Sequence, residues 1–142
     1  MAEVVLWTKM HLEEVDALSN RVFGHPVGIA LDGACFGNCL LGPTGEVWGF
    51  VIGQSLFDEA ELYYIAIDPK QREKGYGKQL LDGFIKACRQ RGAATIFLEV
   101  RESNEVVIAF YEKAGFQKSG VRKHYYKEGE NAVLMRRGGT NT

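Results

Sequence analysis

Between positions 62 and 100 the chain runs strand, glycine turn, amphipathic helix, strand, and that run limits its fold more than any other part of it. Leu62 to Ile67 reads as a strand, stopped by Pro69, which has no N–H to give to a ladder. The helix that follows carries Tyr76, Leu80, Leu81, Phe84, Ile85 and Cys88 on one stripe, with Gly92 placed to end it. Ile96 to Val100 is then a buried strand. A helix with one apolar face must cover a sheet, so strands and helices are expected to mix in one α/β layer structure.

The flanking segments supply more of both. Val4 to Trp7 suggests a first strand, and Leu12, Val15, Leu18 and Val22 predict a helix ending near Gly24, before His25-Pro26. Val27 to Phe36 stays open: its apolar residues suit a short helix, but Gly28 and Gly33 weaken that assignment. Cys39 to Leu41, the turn Gly42-Pro43-Thr44-Gly45 and Val47 to Ile52 predict a hairpin. After Ser103-Asn104-Glu105, the residues Val107, Ile108, Phe110 and Tyr111 predict a short helix ending at Gly115, and Phe116 to Val121 and Ala132 to Met135 predict closing strands. No repeat or linker divides the 142 residues, so a single domain over 1–142 is expected, with a loose tail from about position 138.

Composition removes several classes of function. Seventeen basic and eighteen acidic side chains leave a net charge of −1, without the global footprint of a nucleic-acid binder. No apolar run is long enough to span a bilayer, and the N-terminus meets acidic residues too early for a secretory signal, which points to a cytoplasmic protein. Cys35, Cys39 and Cys88 lack the partners of a tetrahedral metal site, so they are expected to be buried or incidental thiols, with no metal.

One local cluster of charge stands out. Lys70, Arg72, Lys74 and Lys78 surround Gly75 and Gly77 where the strand gives way to the long helix. Backbone N–H groups are free there, a glycine lets an anion approach the main chain, and the helix dipole favours its charge. A plain glycine turn with a solvated basic face is the alternative. The spacing fits neither a P-loop nor a dinucleotide fingerprint.

The runs YYIAIDPKQREKGYGKQLL, IFLEVRESNEVVIAFYEKAGF and HYYKEGENAVLMRR, in that order, make the whole chain resemble the GNAT superfamily of acetyl-CoA-dependent N-acetyltransferases. Within it the resemblance is nearest to the bacterial ribosomal-protein-alanine branch. The resemblance implies a mixed, mostly antiparallel central sheet flanked by helices, with splayed strands forming the acetyl-CoA site. It implies that backbone of Ile65, Ala66 and Ile67 holds the acetyl and pantetheine portions. Glu73, Lys74, Gly75, Tyr76, Gly77 and Lys78 would cradle the pyrophosphate, and Asn104 would hydrogen-bond acetyl-CoA. Asn104 also suits a helix N-cap, and the two roles are compatible.

For chemistry the resemblance implies Glu99 as proton acceptor and Tyr111 as proton donor to the departing thiolate. The plain alternatives are a strand carboxylate facing solvent or pairing with Arg101, and a packed core tyrosine. Direct attack of an amine on the acetyl carbonyl would need no metal and no covalent enzyme intermediate, with strand N–H groups near Ile67 meeting the oxyanion. The acceptor that the resemblance implies is the N-terminal alanine α-amine of a small-subunit ribosomal protein. A small amine or a lysine side chain is the alternative, and a CoA-binding regulatory module without chemistry is a third. The segment Arg21 to Val27 departs from that branch, whose members tend to carry Pro-Trp there. His25, His124 and the pair Tyr125-Tyr126 are candidates to line the acceptor groove.

Overall fold

The structure is a computed structural model in which residues 2–28 and 33–138 are described. Its first four strands run antiparallel in a row: β1 (Glu3–Leu6) pairs with β2 (Cys35–Leu41), β2 with β3 (Val47–Leu56), and β3 with β4 (Glu59–Ile67). The strand β5 (Thr95–Arg101) joins β4 in parallel, and β7 (Ala132–Gly138) lies between β5 and β6 (Gln117–Arg122). These make one seven-stranded, mostly antiparallel sheet in the order β1-β2-β3-β4-β5-β7-β6. Helix α1 (Leu12–Phe23) covers one face, and α2 (Tyr76–Gln90) and α3 (Glu105–Lys113) cover the other. No helix among the described residues is long and apolar enough to cross a membrane.

Strand alternation feeds both layers. On β3, Phe50 and Ile52 pack in one cluster with Val15 and Leu18 of α1, while Val51 packs in the other with Leu80, Leu81 and Phe84 of α2. Each of these fully buried side chains stabilises the fold by about 1.5–3 kcal/mol relative to exposure. Cys39 and Cys88 lie inside these clusters, where burial first of all pushes their thiols up to about 12, so they remain protonated and inert.

The elements fall where the periodicities place them, with three differences. First, several strands run further than expected: β2 from Cys35, β3 to Leu56, β4 from Glu59 and β7 to Gly138. Residues 29–32 of the stretch left open lie outside the described residues, as does the expected tail beyond Gly138. Second, β3 turns into β4 through Phe57 and Asp58, with Phe57 at a left-handed φ of 57°, a position that Gly or Asn usually occupies. The backbone N–H of Ala94 then donates to the Asp58 carbonyl at 2.7 Å, which fixes β5 beside the start of β4.

Third, a β-bulge lies in the middle of β4. The β3–β4 register runs Ile52 to Tyr64 and then Gly53 to Leu62, leaving Tyr63 without an opposite residue. Gly53 is required there, since a Cβ would stand 2.1 Å from the Glu61 carbonyl oxygen and 2.6 Å from the Phe84 ring. A bulge bends and twists its strand. Accordingly β4 pairs with β5 only at Glu59–Thr95, Ala60–Ile96 and Glu61–Phe97, and beyond Phe97 the two parallel strands part. The splay is therefore written in β4, and it opens a wedge in the middle of the sheet.

Candidate active site

The wedge exposes strand backbone that has no strand to pair with. The Asp68 N–H donates to the Trp48 carbonyl at 2.7 Å, and antiparallel bonding alternates, so Ala66 and Tyr64 also turn their N–H groups toward β3. The N–H groups of Ile67 and Ile65 then face the opening. This edge borders a cavity of about 880 Å³ lined by Ile65, Ala66 and Ile67 on one wall and by Glu99, Val100 and Arg101 of β5 on the other.

The start of α2 closes one end of the cavity. Gly75 is its N-cap at φ 81°, and the first bond of the helix runs from the Gln79 N–H to the Gly75 carbonyl at 3.2 Å. The N–H groups of Tyr76, Gly77 and Lys78 therefore have no helical acceptor, and their residues line the cavity together with Glu73 and Gly75. Lys74 is not among the lining residues; its ammonium bonds the Gln71 side chain at 2.9 Å. Lys78 also lines the cavity while pairing with Asp82 at 2.7 Å. Free donors, a helix dipole and an opening of this size suit the diphosphate of a long, thin ligand such as coenzyme A.

Helix α3 forms the roof. Asn104 caps it by accepting from the Val107 N–H at 3.3 Å, and it lines the cavity as well, leaving its amide NH2 as the group that can donate to a ligand. Tyr111 is 4% exposed and packs edge-on against Phe110 and Phe116. Burial pushes its phenol well above the ordinary tyrosine range, so near neutral pH the hydroxyl carries its proton. Val107 and Phe110 line the same cavity. The sequence reading does not single them out, because they share the apolar helical pattern of Tyr111 and read simply as core.

Glu99 lies across the wedge. Its carboxylate does not pair with Arg101, whose guanidinium bonds Glu128 at 2.9 Å and Glu130 at 3.2 Å. It meets Arg122 of β6 instead, with Nε 3.1 Å from Oε2. Oε2 is sealed from solvent and receives no aligned hydrogen bond, so the contact is ionic. Glu99 also lines a second groove of about 400 Å³ that runs across β3, β4, β5, β7 and β6, together with Glu61, Phe97, Ser119 and Arg122. Glu99 is thus the residue that borders both cavities.

The acceptor candidates separate. Tyr126 lines the larger cavity under the Arg101 guanidinium, which sits 4.0 Å from its ring centroid. Tyr125 packs edge-on against Tyr126 and faces Glu99, whose charge pushes its phenol up. His25 is not a lining residue, although its ring packs against Phe23 and Tyr64, which are. His124 is a hairpin residue at φ 53°, with Nδ1 3.0 Å from the Gly129 carbonyl, and it does not line either cavity.

A carboxylate on one wall, a protonated phenol on the other and free N–H groups between them can take a proton from a nucleophile, give one to a leaving group and meet negative charge on an oxygen. Residues 7–116 match the acetyltransferase (GNAT) family. The chain is 42% identical over 101 residues to the [ribosomal protein bS18]-alanine N-acetyltransferase of Escherichia coli K12, covering 69% of this chain and 68% of that one. It is 42% identical over 102 residues to the Haemophilus influenzae protein of the same name, covering 69% of each. The crystal structure of the ribosomal-protein-S18-alanine N-acetyltransferase from Escherichia coli superposes with a TM-score of 0.87 at 30% identity, over 100% of this chain and 99% of that one.

Proposed function

This chain belongs to the acetyltransferase (GNAT) family and is an acetyl-CoA-dependent N-acetyltransferase, and from that premise we propose that its acceptor is the α-amine of the N-terminal alanine of a small-subunit ribosomal protein. The whole chain acts as one acetyltransferase domain in this reading. Acetyl-CoA supplies an activated acyl thioester. The N–H groups of Tyr76, Gly77 and Lys78 and the amide of Asn104 bind its diphosphate and pantetheine arm, and the β4 edge aligns its acyl end. The N–H groups of Ile65 and Ile67 stand ready to donate to the acetyl oxygen as it gains charge.

Glu99 takes the proton that the acceptor amine must lose. An α-amine, with a pKa of about 7.7–8.0, loses it readily near neutral pH, whereas a lysine side chain at about 10.4 would ask over two units more of the same carboxylate. Tyr111, a phenol that carries its proton near neutral pH, gives it to the departing sulfur. The observation that carries the reading is the position of Glu99, at the junction between the cavity with the free N–H groups and the open groove from which an acceptor arrives.

The test is CoA release from acetyl-CoA with three acceptor classes: peptides beginning with alanine, lysine peptides blocked at the N-terminus, and polyamines. Turnover of free peptide N-termini is expected. Preference for blocked lysine peptides or polyamines would move the acceptor elsewhere in the family, and tight acetyl-CoA binding with no turnover of any amine would point to a regulatory module.

A further inference from the structure

Two carboxylates share the floor of the second groove. Glu61 is the last residue of β4 to pair with β5, opposite Phe97, and Glu99 follows Phe97 by two positions on the same strand face. Facing carboxylates tend to share one proton, and a base that holds that proton cannot accept another. We propose that Arg122 is a positioning residue for acetyl transfer, whose guanidinium holds the Glu99 carboxylate in place and supplies the positive charge between it and Glu61. The inference rests on the reading of Glu99 as proton acceptor.

The geometry supports it in three ways. Arg122 is close to Glu99 at Oε2, the carboxylate oxygen that is sealed from solvent and accepts no aligned hydrogen bond. Its own other face lies 5.5 Å from the Tyr125 ring, which holds the guanidinium over the groove. The groups facing Glu99 are Glu61 on β4, Arg122 on β6, and Tyr125 and Tyr126 in the β6–β7 connection. Arg101, two residues along the same strand, is paired with Glu128 and Glu130, so among the described residues Arg122 is the cation at salt-bridge distance from Glu99. Burial first, then the Glu99 charge, push the Glu61 carboxyl up, and Arg122 pulls it back.

Removing the cation raises the proton affinity of the pair, so the acid limb of the rate profile moves to higher pH. In Arg122→Gln, kcat for an alanine-starting peptide should fall about threefold to tenfold at the acid end and recover toward pH 9, with the KM for acetyl-CoA unchanged; the size is held down because Arg122 is 58% exposed. Arg122→Lys should restore most of the acid limb, and Glu61→Gln combined with Arg122→Gln should return it toward its original position. Carbon-13 NMR titration of the glutamate carboxyls, with Glu61 and Glu99 assigned by substitution, reads the same shift without turnover. A loss uniform across pH, no rescue by lysine, or carboxyl titrations unmoved in Arg122→Gln would overturn the proposal. If the wild-type protein acetylates no amine, the functional reading falls, and the NMR titration still decides the role of Arg122.

Discussion

Glu99 and Tyr111, the proposed base and acid, lie in two environments, and each makes a distinct prediction. Glu99→Gln keeps the shape of the strand but cannot accept a proton, so turnover should fall about 100-fold at acid pH. The deficit should narrow as the pH passes the α-amine's own pKa of about 7.7–8.0, where the acceptor arrives deprotonated. A rate-pH profile combined with calorimetric acetyl-CoA binding checks this: equal loss at every pH removes Glu99 from the role, and weakened acetyl-CoA binding shows a structural effect instead. Tyr111→Phe removes one hydroxyl from a side chain already packed against Phe110 and Phe116. Stability should change by no more than about 1 kcal/mol in chemical denaturation while kcat drops roughly 100-fold. Wild-type kcat would leave Tyr111 only its packing role. Both residues were singled out in the sequence by the resemblance of their runs to the family, and the fold brings both to the lining of one cavity. Arg122 and Glu61 were not legible, since a charged residue on a strand reads as solvent-facing until a neighbouring strand is known to lie across from it.

Elements place these side chains, and the start of α2 shows how much one turn contributes. Gly75 holds φ 81°, where an L-residue with a branched Cβ costs about 1–2 kcal/mol, although nothing lies within 4 Å of the Cβ that would be added. Gly75 lines the cavity, so a side chain there would stand beside the free N–H groups. Gly75→Val should therefore weaken acetyl-CoA binding about tenfold, by strain at the cap and by crowding those groups. Gly75→Asn, which tolerates a left-handed backbone, should retain more of the affinity. Calorimetry on both variants is the measurement, and an unaltered dissociation constant in Gly75→Val would sink the anion-site assignment. The helix itself was plain from Leu80, Leu81, Phe84 and Cys88. The tip of the β3–β4 hairpin was not, because Phe57 occupies a left-handed turn position without the usual Gly or Asn. The bulge at Tyr63 was equally hidden: Leu62, Tyr63 and Tyr64 include no Gly or other residue that marks a break in a strand.

At the scale of the whole molecule, the bulge makes the sheet two packed halves joined by a short seam. The strands β1 to β4 pack with α1 and much of α2, whereas β5, β7 and β6 meet β4 through three residue pairs and depend on α2 and α3 for their other contacts. A ligand in the wedge touches β4, β5, α2 and α3 together, so it bridges both halves. Its binding should then stabilise the fold as a unit rather than order one loop. Saturation at one hundred times the dissociation constant contributes about 2.7 kcal/mol, which for a chain of this length raises the melting temperature by roughly 10 °C. Hydrogen exchange locates the gain: amides of β5 and β7, far from the diphosphate end, should slow alongside those at the start of α2. Protection confined to the glycine turn would mean that acetyl-CoA docks on one half only, and that the seam, not the ligand, holds Glu99 and Tyr111 at their working separation.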